Sequence, residues 1–418
     1  MLYCNRLFSK LIGAKEDGSC IAICPSTGFA ITLAAHNLYR TGKIRNGERI
    51  LVLQDEMSSG VYPWQELCHS HHHNSMLPFN CGLDIIPHPK LHLGQSKIGG
   101  EYDSSTCEEV KGWTEAVIQR IETINGKRNS LNKSNNDTSQ PSTPRIAIAC
   151  LPQIHWSDGS LLDLPKIGYC CQKHDVRLII DATQSVGIYP INISNIPNCD
   201  LLAASVHKWL LGPHGASLVY ISGEVYQYWL PLDQHERSRA VFQDEVFDAR
   251  ENVLSQQPTD SNDDDCYDNY DDNHYEHVGY PEKFVKGAAR CDGGGKKNPI
   301  LLPMIREGLI IVTRLNLIEA QNRIQIMTDQ ILERTKLFGL TIQVGPRAAH
   351  ILGLRPSPTL KHVLTPKKMV YICHQLASRN VYIAVRGGAF RIAPYLNTRQ
   401  CEIDMLVNAL QDELHALL

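Results

Sequence analysis

Two short stretches of this 418-residue chain carry side chains suited to holding and polarising a reactive group. In Leu178-Ile-Ile-Asp-Ala-Thr-Gln-Ser-Val-Gly-Ile-Tyr-Pro190, the carboxylate of Asp181 closes a fully apolar run. An acid at such a place stands half out of water, and without a cationic partner its pKa rises. In Asp200-Leu-Leu-Ala-Ala-Ser-Val-His-Lys-Trp-Leu-Leu-Gly-Pro213, Lys208 closes a second run among apolar neighbours. Partial burial there lowers an amine's pKa toward the neutral nucleophile that forms imines with carbonyl groups. Taken singly, each has a plain structural explanation. An acid after a strand commonly serves as a turn or cap, and a lysine at a strand end is commonly solvated.

Apolar runs alternate with helical spacing through most of the sequence, which predicts an α/β fold with a mostly parallel wound sheet. Strands are expected over 47–53, 146–151, 176–180, 200–205 and 216–221, with helices over 113–121 and 162–171. In such a sheet ligands bind beyond the carboxyl ends of the strands, where Asp181 and Lys208 both fall. Asn316 is a good helix cap and opens an amphipathic pattern over 317–338. A strand over 340–344, a helix over 369–379, a strand over 381–385 and a helix over 401–417 follow. This divides the chain into a large domain, 1–315, and a smaller C-terminal α/β domain, 316–418.

Three polar segments, near 69–107, 129–144 and 255–280, read as low-complexity insertions on loops. Two of them invite a metal reading. The histidines of Cys68-His-Ser-His-His-His73 are consecutive, so their side chains diverge along an extended chain. The acidic run Asp260 to Asn273 lacks the glycine that a calcium loop needs at its sixth position. No metal site is expected. The formal net charge of -3 gives no basic field for nucleic acid, and no apolar stretch is long enough to span a bilayer. The N-terminus does not read as a secretory signal, and the 14 cysteines form no Cys-x-x-Cys pair. Reduced thiols in the cytoplasm are expected, with Arg6, Lys10 and Lys15 ahead of the first acids leaving a mitochondrial alternative.

The pattern Asp181-x-Thr183-Gln184-x-x-Gly187-x-x-Pro190, then Ser205-x-His207-Lys208-Trp209-Leu210-x-Gly212-Pro213, resembles the class V aminotransferase and cysteine desulfurase-like family of pyridoxal 5'-phosphate (PLP) enzymes, which have the type I fold. The resemblance implies that Lys208 carries PLP as a Schiff base and later moves the substrate's alpha proton. Asp181 would pair with the pyridine nitrogen, which makes the ring an electron sink. Gln184 would bond the ring oxygen, and Ser205 and His207 the phosphate. His155, in Ile154-His-Trp-Ser-Asp-Gly159, aligns with a polar residue that touches the ring. Cys24-Pro-Ser-Thr-Gly-Phe-Ala-Ile31 resembles the phosphate loop, which implicates Ser26, Thr27 and Gly28 at a helix N-terminus. In Val385-Arg-Gly-Gly-Ala-Phe-Arg-Ile-Ala-Pro394, Arg391 aligns with the arginine that binds the substrate carboxylate and Arg386 with a second arginine at the same mouth. A symmetric homodimer and an amino-acid substrate are further implications.

Departures narrow the expected reaction. Desulfurases carry a nucleophilic cysteine on a mobile loop between these two arginines, whereas here only Gly387-Gly-Ala-Phe390 separates them. Desulfurase chemistry is therefore not expected. Relatives stack an aromatic ring or proline on the cofactor where this chain has Met57-Ser58-Ser59, and they carry several dozen more residues before the phosphate loop. The leading expectation is a class V aminotransferase-like enzyme acting at an amino acid's alpha carbon. The alternative is a catalytically degenerate homodimer that keeps the fold for binding or scaffolding.

Overall fold

The computed structural model describes residues 2–69, 81–89, 112–131, 144–240, 282–295, 297–343 and 345–417. Most of the histidine cluster, the whole acidic run and nearly all of the insertion near 129–144 lie outside these residues.

The chain builds a seven-stranded sheet in the order β1-β7-β6-β5-β4-β2-β3. Its strands are β1 (Ile21–Cys24), β2 (Arg49–Leu53), β3 (Gly82–Ile86), β4 (Ile146–Pro152), β5 (Arg177–Asp181), β6 (Cys199–Ser205) and β7 (Ser217–Ile221). The run from β3 through β6 is parallel, while β7 lies antiparallel to both β6 and β1. Central strands of a doubly covered sheet bury both faces, and β4, Ile-Ala-Ile-Ala-Cys-Leu-Pro, is buried at every position. One face packs under α1 (Leu2–Ile12), α4 (Trp113–Leu131) and α5 (Leu164–Lys173). The other is covered by α2 (Thr27–Arg40) and α3 (Ser58–His69). Local signals place the helix starts: Ser26 caps α2 and accepts from Phe29 N, and Asp163 caps α5 just ahead of Pro165.

After α6 (Leu301–Thr313), the long helix α7 (Leu317–Lys336) is capped by Asn316, whose side chain accepts from Ile318 N and Glu319 N. A four-stranded antiparallel sheet follows, with β8 (Leu340–Thr341), β9 (Leu352–Pro356), β10 (Ala384–Arg386) and β11 (Ala389–Ile392) in the order β10-β11-β9-β8. Together with α7, α8 (Pro366–Ser378) and α9 (Gln400–Leu417) it encloses a separate core around Phe390, Leu354 and Ile372.

The strands β1, β9 and β11 were not expected from the sequence, and three others depart from expectation. β3 falls inside the stretch read as an insertion near 69–107. Its Asp84, 4% exposed, made that stretch look polar, but Arg49 at 3.0 Å and Arg120 at 2.8 Å neutralise it beneath the sheet edge. The strand expected over 340–344 shrinks to Leu340–Thr341, and the one expected over 381–385 shifts to Ala384–Arg386 to form a hairpin with β11.

Two glycines fix the backbone just beyond Lys208. A Cβ on Gly187, which has φ +100°, would lie 2.4 Å from the carbonyl oxygen of Trp209, and a Cβ on Gly308 of α6 would lie 2.4 Å from that of Leu210. Gly126 of α4, by contrast, has open space beside it. Gly308→Ala should therefore destabilise the protein by about 1–3 kcal/mol through overpacking. Gly126→Ala should gain up to about 1 kcal/mol from helix propensity. Urea unfolding midpoints of the two variants, shifting in opposite directions, check the pair.

Candidate active site

Asp181 is the last residue of β5 and pairs in register with Pro152 of β4 and Ala203 of β6, so its carboxylate opens at the carboxyl edge of the sheet. The residue is only 9% exposed, and its Oδ1 accepts a hydrogen bond from Thr183 N at 3.0 Å. Burial raises its pKa, while the bonds from Thr183 and the charge of Lys208 pull it down. Lys208 follows β6, in a turn where Leu211 N donates to Lys208 O and Gly212 N to Val206 O. Burial lowers the lysine's pKa and so does the guanidinium of Arg391, with Asp181 opposing both. The two side chains face one cleft with about 450 Å³ of free space, which Thr27, Thr183, Gln184, Ser205 and His207 also line.

One end of the cleft is a cluster of hydroxyls at the start of α2. Thr27 Oγ1 lies 2.8 Å from Ser205 Oγ, 3.2 Å from Ser217 Oγ and 3.3 Å from Thr183 Oγ1. Ser26 spends its hydroxyl on the cap, and Gly28 borders an adjoining groove rather than the cleft. His207 stacks on His214 with ring centroids 4.0 Å apart, and burial, then the neighbouring His214 and Lys208, keep its pKa low. The first turn of a helix offers unpaired N–H groups and a positive dipole end, so this corner suits an anion.

The C-terminal part meets the cleft through Gln184. Gln184 Oε1 accepts from Trp209 Nε1 at 3.0 Å and from Arg391 Nη2 at 3.3 Å. His350 Nε2 lies 2.7 Å from Gln184 O, and Gln321 Nε2 donates to His350 Nδ1 at 2.9 Å. With Nδ1 accepting, Nε2 must carry the proton toward the carbonyl. This chain of bonds ties the Gln184 turn to α7 and β11. Arg391 holds its charge under partial burial with no carboxylate partner among the described residues, and its Nε has no hydrogen-bond partner. Burial and the nearby Arg386 both lower its pKa. Arg386 itself is exposed, with its guanidinium carbon 5.6 Å over the Trp156 ring.

His155 does not reach the cleft. It is fully buried, stacked on Trp113 with centroids 5.5 Å apart, and its ring nitrogens meet Gln54 O at 3.1 Å and Ser157 Oγ at 2.8 Å. Its flanking residues Ile154 and Trp156 line the cleft instead, because alternate side chains of an extended segment face opposite ways. Sequence reading also passed over Glu56, whose carboxyl lines the cleft opposite Asp181. It sits in the turn between β2 and α3, so the strand-end rule that singled out Asp181 would have found it too.

The family model for aminotransferase class V matches residues 104–242. An uncharacterised aminotransferase, YcbU of Bacillus subtilis, is 24% identical over 218 residues, which is 52% of this chain and 43% of that protein. The cysteine desulfurase IscS of Mannheimia succiniciproducens is 38% identical over 78 residues, 19% of each chain. The chain thus spans less than half the length of these curated relatives. Among solved structures, the Escherichia coli cysteine desulfurase CsdA superposes with a TM-score of 0.67 at 14% identity, over 99% of this chain and 84% of that one.

The matches to desulfurases overturn the expectation that set such enzymes aside. That expectation rested on one missing cysteine between Arg386 and Arg391. Those residues stand on facing strands of a tight hairpin whose Gly387 and Gly388 both have positive φ, so the segment is a turn with no room for a loop. Its composition says nothing of what other segments contribute. Residues 104–242 thus match the aminotransferase class V model, and the fold as a whole is similar to that of a solved cysteine desulfurase.

Proposed function

We propose that this protein is a PLP-dependent enzyme acting at the alpha carbon of an amino acid, with Lys208 as the residue that carries the cofactor. The observation that carries the reading is the shared cleft: a buried carboxylate and a half-buried amine, each shifting the other's pKa, beside a helix N-terminus suited to an anion. That donor set fits PLP. Asp181 would hold the ring nitrogen, Gln184 the ring oxygen, and Thr27, Ser205 and His207 the phosphate, with Ser26 and Gly28 shaping the start of α2. PLP supplies an aldehyde that condenses with amines and a ring that withdraws electrons from a neighbouring carbon.

The chain's own groups prepare the rest. Burial and Arg391 keep a larger share of Lys208 neutral than a solvated lysine would have, which favours attack on a carbonyl. The same amine, once free, is a base placed to take a proton from the substrate's alpha carbon. Arg391 presents an unpaired Nε and an uncompensated charge, which suits the carboxylate of an amino acid, and Arg386 adds positive potential at the mouth. We assign the protein a homodimeric state and a cytoplasmic setting as parts of the same reading. Among the described residues no helix is long and apolar enough to cross a membrane.

Wild-type protein incubated with PLP and then gel-filtered should keep a visible absorbance band, and Lys208→Ala should keep none. Absence of the band from the wild type sinks the assignment. Screening amino acids, cysteine included, for changes in that band, then weighing the products, identifies the reaction. Arg391→Met should leave the band in place but raise KM for the responsive amino acid by at least about 30-fold, the equivalent of about 2 kcal/mol for a broken charge pair. An unchanged KM removes Arg391 from the substrate site.

A further inference from the structure

Glu56 is the acid in the cleft that the proposed chemistry leaves without a task. Its Oε1 accepts a hydrogen bond from Met57 N at 2.7 Å, while Oε2 is buried and has no hydrogen-bond partner among the described residues. A buried polar atom left unpaired costs roughly 1–3 kcal/mol, so an unpartnered carboxyl oxygen lining a ligand cleft calls for a partner that arrives with the ligand. The charged and titratable groups around Glu56 come from every neighbouring element. They are Asp181 at the end of β5, Asp158 after β4, the Cys150 thiol within β4, and Lys208 after β6.

Two carboxyls in one small cleft cannot share the same charge state cheaply. Burial raises the pKa of Asp181, but a backbone N–H, the Thr183 hydroxyl and the lysine's charge all oppose that rise. Glu56 has a single backbone N–H and faces two acids; burial, reinforced by Asp181 and Asp158, pushes its pKa up to about 8. Glu56 therefore has fewer groups to support a charge than Asp181 and is the better proton donor of the two.

Resting on the PLP reading above, we propose that Glu56 is a protonated carboxylic acid whose Oε2–H donates a hydrogen bond to the cofactor held between Asp181 and Lys208. The donor lies beside Met57, where relatives of the family put a stacking ring. This is a positioning role, and its signature is a proton that must be present for tight binding.

The test is the dissociation constant for PLP, measured by absorbance titration at pH 7 and pH 9, for wild type, Glu56→Gln and Glu56→Met. Glutamine keeps a donor at every pH, and methionine has none. Effects of pH on Lys208 and on PLP are common to all three and cancel in the ratio of wild type to Glu56→Gln. That ratio should worsen about tenfold from pH 7 to pH 9, because the protonated fraction of an acid with its pKa near 8 falls about tenfold over that range. Glu56→Met should bind about tenfold more weakly than Glu56→Gln at both pH values. Melting temperatures of the cofactor-free proteins give a second readout. Folded Glu56 keeps its proton up to about pH 8, whereas the unfolded chain loses it near the ordinary value of 4.5. Relative to Glu56→Gln, wild type should therefore lose stability from about pH 5 to pH 8 and level off above. If wild type binds PLP but the ratio is the same at pH 7 and pH 9, Glu56 is not the donor and the enzyme reading stands. If wild type shows no PLP band at all, the enzyme reading itself fails.

Discussion

Asp181 and Lys208 approach each other across a cleft in which neither charge is well solvated, and the surrounding architecture exists to keep them there. Each alone would relax toward its neutral form: burial drives the acid's pKa up and the amine's down. Facing one another, each recovers part of that loss, since opposite charges interact more strongly away from bulk water. The sheet delivers the two groups to adjacent strand ends, and the register of β5 on β6 fixes where they emerge. A slip of one residue along β5 would turn Asp181 into the opposite layer. The close approaches at Gly187 and Gly308 serve the same end, because they clamp the turn that carries Lys208.

The C-terminal part joins the cleft residues through hydrogen bonds as well as through small apolar clusters around Trp209 and Tyr189. Gln321 of α7 reaches His350, His350 reaches the backbone of Gln184, and the Gln184 side chain in turn receives Arg391. Asp158, buried beside Gly353 with its carboxylate 2.9 Å from Arg355, pins β9 against the loop after β4. These joints hold the half-buried guanidinium of Arg391 beside Gln184, near enough for its charge to act on Lys208.

How much of this was legible in the sequence follows from which physical signals are local. The strands β4, β5 and β6 are apolar on both faces, and their residues announce themselves. Asp181 follows from chain order because it closes such a strand, whereas Lys208, in the turn after β6, and Thr27 needed the motif resemblance as well. β3 was hidden because a buried ion pair makes a core position look polar, and its partners Arg49 and Arg120 lie far away in sequence. His155 was misplaced because its family alignment fixes a position along the chain but not the direction of a side chain. In this loop Trp113 and Gln54 capture the imidazole on the far side. The short spacing of Arg386 and Arg391 was read as the loss of a loop, and strand pairing shows that the segment is a hairpin.

The anion corner shows how a site can be built before its ligand arrives. Thr27, Thr183, Ser205 and Ser217 each carry one hydroxyl proton, and in the structure they bond among themselves and to backbone groups. None of the four is left as a buried unpartnered group among the described residues, so holding them together costs little without a ligand. A hydroxyl can rotate its proton outward with no movement of the backbone, and then its own oxygen accepts from a neighbour in place of donating. The cluster thus converts from self-satisfied to donating by rotation alone, while the α2 terminus adds N–H groups whose direction is already fixed. Preorganisation of this kind explains why the residues at this corner are small hydroxyls rather than arginines, whose long side chains would have to be ordered anew at each binding event.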